Sequence, residues 1–415
     1  MKQIVVFVLI ALSFTGCRDE FSNDVLSVNG LTVYDLDIEK VKKVHDQYAL
    51  INLTKVLIID KSGNKTFDVD NESYIKDNNI SFRFTDVVGG ENDAIYVLAS
   101  ELLDDGTFSI YVLKMDSKGM PLWDSPKVIP ITDRFKNTLF DFNRTKNQYY
   151  SILDNGYALG KMINNQLVIV VNYQTDQKNW QFQLMSMNTD GRIITKKDFI
   201  SSHSVYIWTY LLDYLPNNNL VLVQGYDNEC YITQYSIQTL HEIYPTWKLE
   251  GIKSNPLLFI TMTNMVLINE TEVLFTGYAD RRNNAVIYGN FDVLCLRYNV
   301  LSNIVSDTIF MGENNHFELI FNSFIDEQNV VKCIGTKRQE LNSAHNAKSS
   351  LFQISMDLKT GKLDSTFIIK NRGYEGLYFE ETNNNELIII GSKTDISGKE
   401  NKQSFFTILK TNDYE

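Results

Sequence analysis

"YVLKMDSKGMPLW", residues 111–123, reads as a strand, a tight polar turn and a second strand ending in Trp123. In such a turn Gly119 supplies positive φ, while the Asp116 side chain bonds the turn's own backbone. The unit recurs. "VLIIDKSGNKTF" (56–67) aligns Asp60 with Asp116 and Gly63 with Gly119. "LMSMNTDGRII" (184–194) repeats it with Asn188 and Gly191, and "ISMDLKTGKLD" (354–364) with Asp357 and Gly361. "ITQYSIQTL" (232–240) and "CLRYNVLSN" (295–303) keep the alternation without the Gly, and "TILKTNDYE" (407–415) is the seventh copy.

A second alternating strand precedes every copy: "QYALIN" (47–52), "AIYVLAS" (94–100), "QLVIVVNY" (166–173), "NLVLVQGY" (219–226), "EVLFTGY" (272–278), "NVVKCIGT" (329–336) and "ELIIIGSK" (386–393). Their centres are about 48 to 72 residues apart, the spacing of propeller-type repeats that carry loop insertions. The stretch 125–150 reads as the insertion behind the longest step. Short alternating strands separated by Asn/Asp/Gly turns make a propeller blade, with these strands second and the Asp-x-x-Gly hairpin joining third to outermost. The fold class is therefore all-β, a β-propeller. Seven copies favour seven blades, with six or eight open because the first copy is the most degenerate. The last blade lacks its outer strand, and "VLSVNGLTVYDL" (25–36) is placed to supply it and close the ring.

Composition agrees. The chain has 415 residues, with 22 Tyr, 24 Phe and only 6 Pro, a balance that suits half-buried pleated surfaces. A formal charge of −12 argues against non-specific binding to nucleic acid or to an anionic membrane surface.

At the N-terminus a short basic start, Met1-Lys2, precedes an apolar run from Ile4 to Phe14, which fits a secretory leader and is too short to span a bilayer. "FTGC" follows. Gly16 directly before Cys17 resembles the lipobox of bacterial lipoproteins, with Phe14 where that family usually has Leu. The resemblance implies a signal peptide over 1–16, lipidation of Cys17, a tether over 17–24 and one propeller domain over 25–415. Arg18-Asp19-Glu20 resembles the charged export signal of surface-exposed Bacteroidota lipoproteins, which implies an outer-membrane anchor and a cell-surface location. The repeat, too, is similar to the propellers of Bacteroidota lipoproteins. It lacks the Gly-His and Trp-Asp pairs of WD40 repeats, and only Gly89-Gly90 is kelch-like.

Chemistry is sparsely signalled. His45, His203, His241, His316 and His345 form no metal-binding spacing, and no CxxC pair, Gly-x-Ser-x-Gly elbow or phosphate-cradling loop exists, so no cofactor or metal is expected. Cys230, Cys295 and Cys333 read as buried structural thiols. Asp68, Asp70 and Glu72 alternate in "DVDNES" but lack the rest of a calcium loop, and read as a solvated acidic turn. Asp86, Asp213, Glu318 and Glu380 fall on expected innermost strands, where a glycoside hydrolase would gather its carboxylates.

Two binding surfaces are expected. Loops between second and third strands of the last three blades would bring Arg281, Arg282, Lys337, Arg338, Lys393 and Lys399 to one rim, suited to an anionic ligand or acidic partner. Tyr206, Trp208 and Tyr210 alternate in "YIWTYLLDY" and would share one strand face, able to stack on a sugar or to pack between blades. The leading expectation is a binding or accessory protein for a protein partner or glycan. A surface carbohydrate-active hydrolase is the alternative.

Overall fold

The computed structural model describes residues 31–71, 81–102, 108–131, 158–174, 180–200, 207–226, 229–249, 259–280, 291–312, 316–326, 328–339, 349–369, 374–382, 386–394 and 402–410. The expected leader over 1–16, Cys17 and the expected tether over 17–24 lie outside them. A compact unit spans Thr32–Glu415.

The described residues form a seven-bladed β-propeller of four-stranded antiparallel blades. The innermost strands are, in order, Lys40–Val44, Ser81–Gly89, Ala158–Ile163, Ile207–Tyr214, Phe259–Asn269, His316–Ile325 and Tyr374–Glu381. Each packs against the innermost strand of the next blade, and the seventh packs against the first. Blades five and six are also joined by a parallel bridge, Phe291↔Phe317.

The ring closes as the repeat predicts. Thr32–Tyr34 is the outer strand of blade seven, with Thr32 opposite Phe406, Val33 opposite Phe405 and Tyr34 opposite Ser404. One expectation needs correcting. Residues 125–150 are not wholly an insertion, because Lys127–Pro130 is the outer strand of blade two.

The core lies between blades. Both faces of each sheet are covered, so second strands are apolar on successive positions rather than alternate ones. Leu167 to Val171 shows this, with every side chain at 0–1% exposure. Separate apolar clusters fill the joints between blades one and two, two to four, four and five, five and six, and seven and one.

The Asp-x-x-Gly hairpins have a double role. The Asp116 carboxylate accepts the Lys118 and Met120 amides at 2.9 and 2.8 Å, and Asp60 and Asn188 do the same in their own turns. Gly119 has φ +83, and a Cβ there would sit 2.7 Å from the Phe67 ring of the preceding blade. The turn is thus also a contact between blades. Lys114 extends it by donating to Thr189 O of the next blade at 2.8 Å while lying over the Trp123 ring.

Strand order gives the ring two faces. Turns between first and second strands, and between third and fourth, share a hairpin face. The starts of the innermost strands and the ends of the second strands share the opposite, loop face.

Candidate functional site around the channel

Five of the innermost strands carry a β-bulge partway along, at Thr85, Tyr210, Thr263, Phe321 and Leu377. A bulge sharpens the local twist and re-aims the side chains beyond it. It also pushes a carbonyl towards the second strand. At Gly335 a Cβ would lie 1.9 Å from Leu319 O, and Gly277 and Gly391 face Thr261 O and Glu375 O in the same way. This is the physical reason the second strands end in a small residue.

Beyond the bulges, polar side chains link one blade to the next. Asn264 donates to Asn322 Oδ1 at 2.7 Å, and Asn322 donates onward to Phe379 O at 2.6 Å. In blade two the corresponding residue is Asp86, which is fully buried. Lys40 and Lys42 of blade one approach its two oxygens at 2.9 and 2.8 Å, and the Gly160 amide of blade three donates to it at 2.9 Å. Burial is the largest influence on Asp86 and acts to raise its pKa, but the two ammonium groups and the amide together hold it below the ordinary carboxylate value.

The other acids expected on innermost strands are also engaged. Asp213 pairs with Lys161 of blade three at 2.6 Å. Glu380 receives Lys43 at 2.6 Å, the Tyr48 hydroxyl at 3.0 Å and the Tyr378 hydroxyl at 3.1 Å. Burial first, then the Glu380 charge, pushes both phenols far above their usual pKa. Glu318 pairs with Lys337 at 2.9 Å, directly opposite it in the register of blade six. Asp86, Asp213 and Glu380 are thus each held by a lysine of a neighbouring blade, and Glu318 by one of its own.

A different pair of carboxylates does converge. A Cβ at Gly312 would lie 2.1 Å from Asp292 Oδ1 and 2.7 Å from Glu318 Oε2, so both acids crowd one point at the joint of blades five and six. Both are buried. The sequence reading missed Asp292, whose position depends on the two blades meeting.

The expected basic rim is only partly described. Lys337, with 12% of its side chain exposed, is turned into the blade by Glu318. Lys393 lies over the Tyr374 ring, 5.2 Å from its centroid. Arg338 follows Lys337 in the second strand of blade six. Arg281, Arg282 and Lys399 lie outside the described residues.

The aromatic stretch also divides. Tyr206 lies outside the described residues, and Trp208 is in the innermost strand of blade four. Tyr210 sits at the bulge and is 9% exposed, packed in the core between blades four and five, where Gly225 leaves room for its hydroxyl. Tyr214 packs against the cluster on the other side of its blade. The bulge breaks the alternation that would have kept the two tyrosines on one face.

Other chemical candidates resolve simply. Cys230, Cys295 and Cys333 are free and buried, and burial pushes the Cys230 thiol up to about 12. Asp68 is held by Lys55 and Lys65 at 2.6 and 2.7 Å. Among the described residues no cluster of three His, Cys, Asp or Glu could hold a metal ion.

With this geometry in view, comparison with known proteins gives one kind of answer. No protein-family model and no curated protein sequence matches the chain. Solved structures do. The WD40 domain of Pan2 from Neurospora crassa is similar over 91% of this chain and 93% of its own, with a TM-score of 0.51 and 8% identity. The likeness is one of fold. A putative 6-phosphogluconolactonase from Bacteroides uniformis matches 87% of this chain and 100% of its own, with a TM-score of 0.46 and 9% identity. The WD40 domain of SCAP from fission yeast matches 92% and 89%, with a TM-score of 0.42 and 9% identity.

Proposed function

We propose that this chain is a lipid-anchored binding or accessory protein of the bacterial outer membrane, presenting the loop face of a propeller to a protein partner or glycan at the cell surface. The observation that carries the reading is the pairing of the channel acids. A glycosidase needs two carboxyl groups roughly 5 to 10 Å apart, flanking an open pocket. Asp86, Asp213 and Glu380 instead each hold lysines between neighbouring blades. Rigid joints of this kind suit a platform better than a reaction centre, and the Cys17 lipobox supplies the anchor.

The test is to purify the lipidated protein, tagged at its C-terminus, from gently solubilised outer membranes and identify what accompanies it. A stoichiometric partner supports the reading. Recovery alone, together with no retention on glycan arrays, overturns it.

One observation favours a second reading. The convergence of Asp292 and Glu318 beside Lys337 places two buried carboxylates together at the loop face, the pairing though not the open pocket of a carbohydrate-active hydrolase. Loss of a glycan-cleaving activity in both Asp292→Asn and Glu318→Gln, with the fold intact, would establish it.

A further inference from the structure

The hairpin face carries a feature that a binding role for the loop face leaves unused. Among the described residues the large apolar side chains left exposed are concentrated there. Met120 (63%) and Leu122 follow the blade-two turn, Ile193 and Ile194 the blade-three turn, Leu301 (56%) and Ile304 the blade-five turn, and Leu363 the blade-six turn. Of the others, Val33 and Val128 lie in mid-strand, whereas Ile243 and Leu267 lie near hairpin-face ends. Exposed cations stand beside them: Lys118, Arg192, Lys359 and Lys362. Exposed acids share the same face, among them Glu91, Asp93, Asp190, Glu242, Glu270 and Asp364, so apolar contact rather than net charge has to dominate.

Two further facts indicate the occupant. Thr32 precedes Tyr34 along an outer strand antiparallel to Lys402–Lys410, so the chain enters blade seven from the hairpin-face side. Cys17 lies 15 positions before Thr32 in the sequence. The apolar tips are also spread around the ring, on blades two, three, five and six. Tips spread over four blades suit an extended flat surface, whereas a compact protein partner would cover one or two.

We propose that the hairpin face rests on the phospholipid surface in which Cys17 is anchored, with the aliphatic tips at the headgroup boundary, so that the loop face points away from the membrane. This rests on the anchoring reading above. Aliphatic groups flanked by Lys or Arg are the side chains that settle at such a boundary.

The test uses the lipidated chain in vesicles of phosphatidylcholine and phosphatidylglycerol. An environment-sensitive fluorophore is attached at Leu122→Cys, at Leu301→Cys or, on the loop face, at Gln403→Cys. The native thiols are buried and do not compete for the label. Brominated lipid should quench the labels at positions 122 and 301 by about two-fold and leave the label at 403 unchanged. Equal quenching at all three, or quenching at only one of the two tips, overturns the proposal. Mass spectrometry of the same preparation reads the Cys17 lipid. A lipidated chain with unquenched tips overturns the orientation alone, and a chain without the lipid overturns the anchor as well.

Discussion

Lys43 in blade one and Glu380 in blade seven lie 2.6 Å apart across the seam that closes the ring. The same carboxylate accepts from Tyr48 and Tyr378, so one side chain collects two buried phenols and an ammonium where distant parts of the chain meet. Glu380→Ala leaves both phenols without their acceptor and should cost about 2 to 3 kcal/mol, whereas Glu380→Gln keeps an acceptor and should cost about half as much. Urea unfolding of the two variants checks the ordering.

Asp86 sets an acid limit on stability. Its folded pKa is depressed, so its contribution is fully present above the unfolded carboxylate value of about 4 and is lost as pH falls through the lower, folded value. Asp86→Asn should lose about 3 kcal/mol at pH 7, because Lys40 and Lys42 are left facing a neutral group. Below pH 4 the gap between the two proteins should narrow. Thermal melts from pH 7 down to pH 3 read both effects, and a constant gap would refute the assignment.

Gly119 and Gly361 occupy equivalent turns with different surroundings. Both have positive φ, but a Cβ at Gly361 meets nothing within 4 Å, whereas one at Gly119 runs into the Phe67 ring. Gly361→Ala should cost about 1 kcal/mol from backbone strain alone. Gly119→Ala adds the displacement of an aromatic ring and should cost about 3 kcal/mol. Denaturation midpoints compared at equal slope separate the two.

The thiols should be silent in the folded protein. Cys230, Cys295 and Cys333 are buried out of reach of a reagent, and burial pushes the Cys230 thiol up to about 12, away from the reactive thiolate. A maleimide should label none of them until denaturant unfolds the blades. Rapid labelling of any one in buffer would contradict the packing described.

The legible features of the sequence were the local ones. Asp116 and Gly119 announce their turn because cap and positive φ are properties of a few consecutive residues. The bulge at Tyr210 is invisible to an alternation count, and it moves Tyr210 and Tyr214 onto different cores. In the sequence Glu318 reads as an innermost-strand acid and Lys337 as a rim cation, with nothing to join them. Counting the register back from the turn at Asp326, with one bulged residue, would have set them opposite each other. No count within one blade could join Lys161 to Asp213 or Asp292 to Glu318, because those meetings belong to the joints between blades.

The closing strand has a consequence for biogenesis. Tyr34 and its partner Ser404 are 370 positions apart. During synthesis, Thr32–Tyr34 emerges early and waits without its neighbour while six blades assemble behind it. For that interval the nascent protein is an open arc with an unsatisfied edge at each end, the state most prone to pair with another copy. Arrival of Phe405 and Phe406 ends that exposure in a single event, so completion of the ring, rather than the folding of any one blade, is the step that removes the hazard.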